Sequence, residues 1–193
     1  MKIQSDTGEH DTLEFRPFCT ILRYYVQFIA RIPEPMQPEI AIRKAGPADA
    51  TAIASILEKT GWFPHFNDDT LERNAERIGT ALENDYAGTE SHSAYIAETG
   101  EGLVAGYVTV QWLPYLFLPA PEGYVSEIFV DERYRGEGIG KALLDAVRQE
   151  ANGKGCSRLM LCNSRTRHSY KREFYQKLGW EERETVANFI LRL

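Results

Sequence analysis

The sequence predicts one α/β domain on a mixed sheet, preceded by a short leader. Strand and helix patterns alternate from Glu39 onward. The run 124–130 is almost uniformly apolar, as in a strand covered on both faces. It leads through a glycine-rich turn into a helix and then another strand, the spacing of a parallel crossover, while the strands before it are joined by a hairpin turn.

Composition narrows the function. With 43% hydrophobic and 26% charged residues, the 193-residue chain matches an ordinary soluble domain. The 28 acidic residues outnumber 22 basic ones for a net charge of -6, so no overall positive field is available to hold a nucleic-acid backbone. Cys19, Cys156 and Cys162 are odd in number and lack paired spacing, which predicts reduced, partly buried thiols and no metal. No run approaches the roughly 18 apolar residues of a membrane span, and the start lacks a basic region leading into an apolar one. A cytoplasmic setting is expected.

Element by element, the boundary falls at residue 38, where Pro33, Pro35 and Pro38 break the chain. In the leader 1–38, Phe18, Ile21, Leu22, Tyr25, Phe28 and Ile29 have helical spacing, yet Tyr24-Tyr25-Val26 suits a strand. Covering apolar surface on its own domain, a homodimer contact and a membrane-surface helix are all open for it, as is a natural start at Met36.

Residues 40–43 read as a strand, and Pro47 opens a helix to about Lys59 that Gly61 stops. Asp68 or Asp69 caps a second helix with Leu71, Ala75, Ile78 and Leu82 on one face. Strands 94–97 and 103–112 join through Thr99-Gly100-Glu101-Gly102. The run 124–130 is expected to be central and buried. A helix over 138–152 turns Ile139, Leu143, Ala146 and Val147 inward, and strand 158–162 follows. A last helix, 169–178, is closed by Gly179, and 186–193 is a final strand.

The segment Arg133-Tyr134-Arg135-Gly136-Glu137-Gly138-Ile139-Gly140-Lys141 makes an anion site. Glycines let backbone N–H groups converge, the helix start adds a positive dipole end, and Arg133, Arg135 and Lys141 add charge. The Walker spacing fails twice, because Arg135 stands where its first glycine belongs and Ala142 where Ser or Thr belongs. A dinucleotide G-x-G-x-x-G fails where Lys141 replaces the third glycine.

Arg135-Gly136-Glu137-Gly138-Ile139-Gly140 does match R-x-x-G-x-G. With Ile40-x-Ile42-Arg43, Glu127-Ile128-Phe129-Val130 and Phe174-Tyr175-Gln176-Lys177-Leu178-Gly179-Trp180, it makes residues 39–193 resemble the GNAT superfamily of acyl-CoA N-acyltransferases. The resemblance implies a mostly antiparallel sheet with one splayed parallel pair, flanked by about four helices. It implies acetyl-CoA as co-substrate, its pantetheine beside Ile128, Phe129, Val130 and Asn163, and its diphosphate on the amides of Arg135, Gly136, Glu137, Gly138, Ile139, Gly140 and Lys141. It also implies Tyr175 at the leaving thiolate as the acid. An insertion, 164–171, separates Asn163 from Tyr175.

Glu127, a carboxylate in an apolar strand, is the candidate base through water, with pairing to a neighbouring arginine as the other reading. Ser126 is expected on the opposite face. Cys162 reads as a buried thiol, and His65 and His168 as surface residues. Two aromatic loops, with Trp62 and Phe63 in one and Trp112, Tyr115 and Phe117 in the other, are expected to line the acceptor pocket or to anchor loops. Asp68, Asp69 and Glu122 either attract a cationic amine or are solvated turn acids. The expected activity is acetyl transfer to a primary amine of a small molecule or peptide end. The alternative is a non-catalytic acyl-CoA-binding module that engages a protein partner.

Overall fold

Five strands form one sheet in chain order: β1 (Ile40–Lys44), β2 (His92–Thr99), β3 (Val104–Leu113), β4 (Glu122–Val130) and β5 (Arg158–Leu161). Neighbours are antiparallel from β1 to β4, and β5 lies parallel to β4. This computed structural model describes residues 39–191, the side chain of His65 excepted. The expectations for the leader 1–38 fall outside the described residues.

The alternation along β3 assigns the two faces of the sheet. Tyr107 packs with Ile53, Ile56 and Leu57 of α1 (Ala50–Thr60) and with Leu71, Ala75 and Ile78 of α3 (Leu71–Ala81). Its neighbour Val108 points the other way, to Leu143, Leu144 and Val147 of α4 (Ile139–Gly153). Val108, Leu143 and Val147 are wholly buried, so truncating Leu143 to Ala would cost about 2–5 kcal/mol. Short helices α2 (Pro64–Asn67) and α5 (His168–Lys171) lie in connections. Asp49, before α1, is buried and accepts both Nη groups of Arg43 at 2.8 Å, tying the helix start to β1.

Several expectations are corrected. Thr70, not Asp68 or Asp69, caps α3: its hydroxyl accepts the Arg73 N–H at 3.3 Å, and Asp69 accepts the Thr70 N–H. The expected helix 169–178 is broken at Glu173, whose φ of 57° is left-handed, leaving α5 and a 3₁₀ turn at Gln176–Leu178. The break seats Phe174 against Gly140, where an added Cβ would lie 3.1 Å from the ring. The final strand does not form over 186–191. An apolar stretch becomes a strand only when a backbone edge pairs with it, and Phe189, Ile190 and Leu191 stand exposed.

β4 is central, as expected, but not buried throughout. Ser126 and Glu127 are exposed. The register explains why: Thr109 pairs with Glu127 and Val110 with Val125, which leaves Ser126 as the extra residue of a β-bulge.

Candidate active site

The parallel pairing of β4 with β5 covers Glu122 to Val125 against Arg158 to Leu161 and stops there. β4 continues to Val130, so beyond Val125 its backbone has no strand partner on the β5 side among the described residues. The closed end is clamped by Glu122, which is wholly buried and ion-paired with Arg158. Glu122 is thus neither a solvated turn acid nor an attractor for an amine.

At the open end β4 runs into the anion turn. Asp131 is buried and accepts the Arg133 backbone N–H and side-chain Nε at 3.0 Å each, as well as Lys59 Nζ at 3.1 Å. The Arg133 contacts hold its carboxyl well below the usual range against the opposing effect of burial. Gly136 and Gly138 then take φ values of 94° and 81°. These left-handed conformations cost an L side chain about 1–2 kcal/mol each. Gly138 begins α4 without a side-chain cap, and the first ladder bond is Ala142 N–H to Gly138 O at 3.0 Å. The amides of Ile139, Gly140 and Lys141 therefore keep their hydrogen bonds for an anion. Arg133 is spent on Asp131 and Lys141 on Asp145, whereas Arg135 has no carboxylate partner among the described residues and gives its Nε to Val130 O at 3.2 Å.

On the α1/α3 face, Tyr107 donates its hydroxyl to Glu127 Oε2 at 2.7 Å, and the hydroxyls of Thr109 and Ser126 lie 2.9 Å apart. Thr109 and Tyr107 share a face, so the bulge brings Ser126 and Glu127 to one side, contrary to the expected alternation. Burial, then the charge of Glu127, raises the Tyr107 hydroxyl well above its ordinary pKa, which keeps it a donor. Phe129 stacks on Tyr107 at 5.7 Å and meets Trp62 at 5.8 Å and Phe63 at 6.0 Å. These rings form one aromatic wall beside the carboxylate.

On the other face Tyr175 packs edge-on to Phe174 at 5.0 Å and Trp180 at 6.0 Å. Burial pushes its hydroxyl up to about 12. Just beyond β5, Asn163 accepts the Ser169 hydroxyl at 3.2 Å, while its buried Nδ2 has no hydrogen-bond partner among the described residues. Such a buried donor is costly unless a ligand meets it.

The "Acetyltransferase (GNAT) family" matches the sequence over residues 57–180, well over half of the chain. This chain belongs to that family. An aminoglycoside N(6')-acetyltransferase type 1 of Stenotrophomonas maltophilia is 28% identical over 156 residues, spanning 79% of this chain and 93% of that protein. A glucosamine 6-phosphate N-acetyltransferase of Trypanosoma brucei brucei is 36% identical over 62 residues, 32% of this chain and 40% of its own. The fold matches the crystal structure of a ribosomal-protein-alanine N-acetyltransferase from Brucella melitensis biovar Abortus 2308 with a TM-score of 0.60 and 22% identity, covering 80% of this chain and all of that one. The protein is an N-acetyltransferase with the mixed sheet of its GNAT neighbours.

The co-substrate that the GNAT family implies, acetyl-CoA, fits the residues present. An uncapped helix start suits a diphosphate, the open edge of β4 suits an amide-bearing arm, and Asn163 Nδ2 offers an unused donor to a carbonyl.

The expected acceptor wall is only partly assembled. Trp62 and Phe63 join the rings beside Glu127, but Trp112 is 6% exposed, donates Nε1–H to Ser93 Oγ at 3.2 Å and belongs to the core. Tyr115 and Phe117 form a separate ring pair at 5.2 Å, with Phe117 exposed. Cys162, expected buried, is exposed. Sequence reasoning did not single out Tyr107, Asp131 or Arg167. An aspartate ending an apolar strand two residues before an arginine was a readable signal for Asp131, whereas Tyr107 and Arg167 act through partners distant in sequence.

Proposed function

We propose that this GNAT enzyme, over residues 39–193, transfers acetyl from acetyl-CoA directly to a primary amine of a small molecule or a peptide end. Acetyl-CoA supplies the acetyl group activated as a thioester. The amides from Gly136 to Lys141 hold the diphosphate, while Arg135, whose own N–H goes to Glu132 O, adds side-chain charge that no carboxylate among the described residues neutralises. The backbone of Ile128, Phe129 and Val130, with Asn163 Nδ2, holds the pantetheine arm. Holding both reactants against this rigid edge supplies much of the rate, because orientation is fixed before reaction.

An amine of lysine-like pKa costs about 4–5 kcal/mol to deprotonate at pH 7. Glu127 stands exposed on the acceptor side with Tyr107 fixing one carboxylate oxygen, and it takes that proton through water. Tyr175 keeps its own proton to well above neutral pH and donates it to the departing sulfur. The observation that carries this reading is the coincidence of an uncapped helix start with the place where β4 parts from β5.

The test measures thiol release from acetyl-CoA with a panel of amines: aminoglycosides, amino sugars and peptides with free ends. Acetylated amine in proportion to thiol is the expected result. Tight CoA binding with no acetylation of any amine would overturn the proposal and favour a binding module.

A further inference from the structure

The segment between β5 and α5 reaches back to the loop after α1, where the Arg167 guanidinium lies over the Trp62 ring. Trp62, Ser164, Thr166, Arg167 and His168 line an open cleft of about 440 Å³. The cleft belongs to the acceptor side: Trp62 touches Phe129, Phe129 stacks on Tyr107, and Tyr107 holds Glu127.

Arg167 is the arginine that lines this cleft, and unlike several others it is not neutralised. Arg43, Arg133, Arg148, Arg158 and Arg165 each pair with a carboxylate, and Arg165, two residues away, turns to Glu182 at 2.7 Å. Arg167 has no carboxylate partner among the described residues. Burial alone acts on it, lowering its pKa from the ordinary value, while a guanidinium stays charged throughout the working range. A partly desolvated, uncompensated cation costs free energy until an anion meets it. No hydrogen bond engages the guanidinium N–H groups among the described residues, and such groups grip carboxylate or phosphate with two parallel bonds. The Ser164 and Thr166 hydroxyls, 2.9 Å apart, lie on the same cleft. A chain of net charge -6 has a general attraction for cationic amines, so a cation without a carboxylate partner among the described residues, placed on this cleft, selects among them.

We propose that Arg167, placed over Trp62, anchors a carboxylate or phosphate group carried by the acceptor amine. The proposal rests on the transfer reading above and names its substrate class: amines that also bear an anionic group.

The test uses the full chain saturated with CoA for binding and with acetyl-CoA for turnover. Two matched pairs are compared, glucosamine 6-phosphate against glucosamine and 4-aminobutyrate against its amide. Calorimetry reads binding, and thiol release reads transfer. At least one anionic member should bind about tenfold or more tightly than its neutral partner, with the gain in KM rather than kcat. Arg167→Gln should erase that preference and Arg167→Lys keep part of it, with Tm confirming the fold. A response from one pair alone identifies the group as phosphate or carboxylate. The anchor is overturned if neither pair shows a preference, if Arg167→Gln retains it, or if that variant weakens CoA tenfold with the preference intact. Arg167-dependent binding without transfer would instead sink the transfer reading and leave the anchor standing.

Discussion

Adding a side chain at Gly138 perturbs the anion turn where its backbone is most constrained. At φ 81°, an added Cβ meets no protein atom within 4 Å, so the penalty is conformational rather than steric. It is about 1–2 kcal/mol for Ala and larger for β-branched Val. The chain has two ways to absorb it. Holding the left-handed conformation lowers Tm by about 2–8 °C, since each kcal/mol is worth roughly 2–4 °C in a chain of this length. Swinging to negative φ instead rotates the peptide joining Gly138 to Ile139 and takes the Ile139 N–H out of the cradle.

A hydrogen bond to a charged oxygen contributes about 1.5–3 kcal/mol, so its loss weakens CoA about 10- to 150-fold. Gly138→Val, which also crowds the cradle, should show both effects. Gly153, at the right-handed end of α4 with open space around its Cα, is the control, and Gly153→Ala should leave both readings nearly unchanged. Tm without ligand and calorimetric Kd for CoA on the same samples check this. Unaltered Tm and Kd in Gly138→Val would refute the placement of the diphosphate.

Glu127→Gln should lower kcat about 100-fold or more while leaving CoA affinity intact, and unchanged turnover would remove Glu127 as base. Tyr175→Phe should slow turnover with CoA affinity nearly intact; equal kcat would clear Tyr175 of a proton role. Burial raises Tyr175 to about 12 from an ordinary pKa of about 10, so the folded state holds this proton more tightly. That contribution to stability is full below about pH 10 and is lost as pH rises through about 12, so Tyr175→Phe should lose stability less steeply over that window in alkaline denaturation. Trp112→Ala should cost about 3–5 kcal/mol in urea denaturation as a core truncation, while Phe117→Ser, at 75% exposure, should fall within about 0.5 kcal/mol of the parent. The opposite ranking would return Trp112 to the surface.

The parts legible in sequence are those with local causes. The stop at Gly61, the turn around Gly102 and the glycines of the anion turn each require a backbone conformation within a few residues, and periodicity placed α4 with Leu143 and Val147 inward. What escaped depends on partners far along the chain. Residues 186–191 are mostly apolar, as a strand can be, but their neighbours in sequence say nothing about whether an edge awaits them. The helix 169–178 has acceptable helical residues throughout, and its break at Glu173 accompanies the packing of Phe174 against Gly140. Trp112 and Trp62 stand in similar proline-containing aromatic stretches of sequence, yet one lies in β3 and donates to Ser93 in the core and the other lies under Arg167 at the surface. Residue type does not separate them, and position in the sheet does.

The bulge at Ser126 links the two halves of the candidate chemistry. With a regular β4 ladder, residues 126 and 127 would lie on opposite faces, and one of the two would turn away from the acceptor side. The extra residue turns both toward Thr109 and Tyr107 and adds local twist to β4 immediately after Val125, where pairing with β5 ends. Increased twist carries the later residues of β4 out of line with a straight parallel neighbour, so the strands part there. One local irregularity thereby accompanies both features that the proposed transfer uses, a β4 backbone without a partner on the β5 side among the described residues and a Glu127 carboxylate held by Tyr107. The buried pair of Glu122 with Arg158 keeps the other end of the same strands closed, which confines the opening to the side where α4 begins.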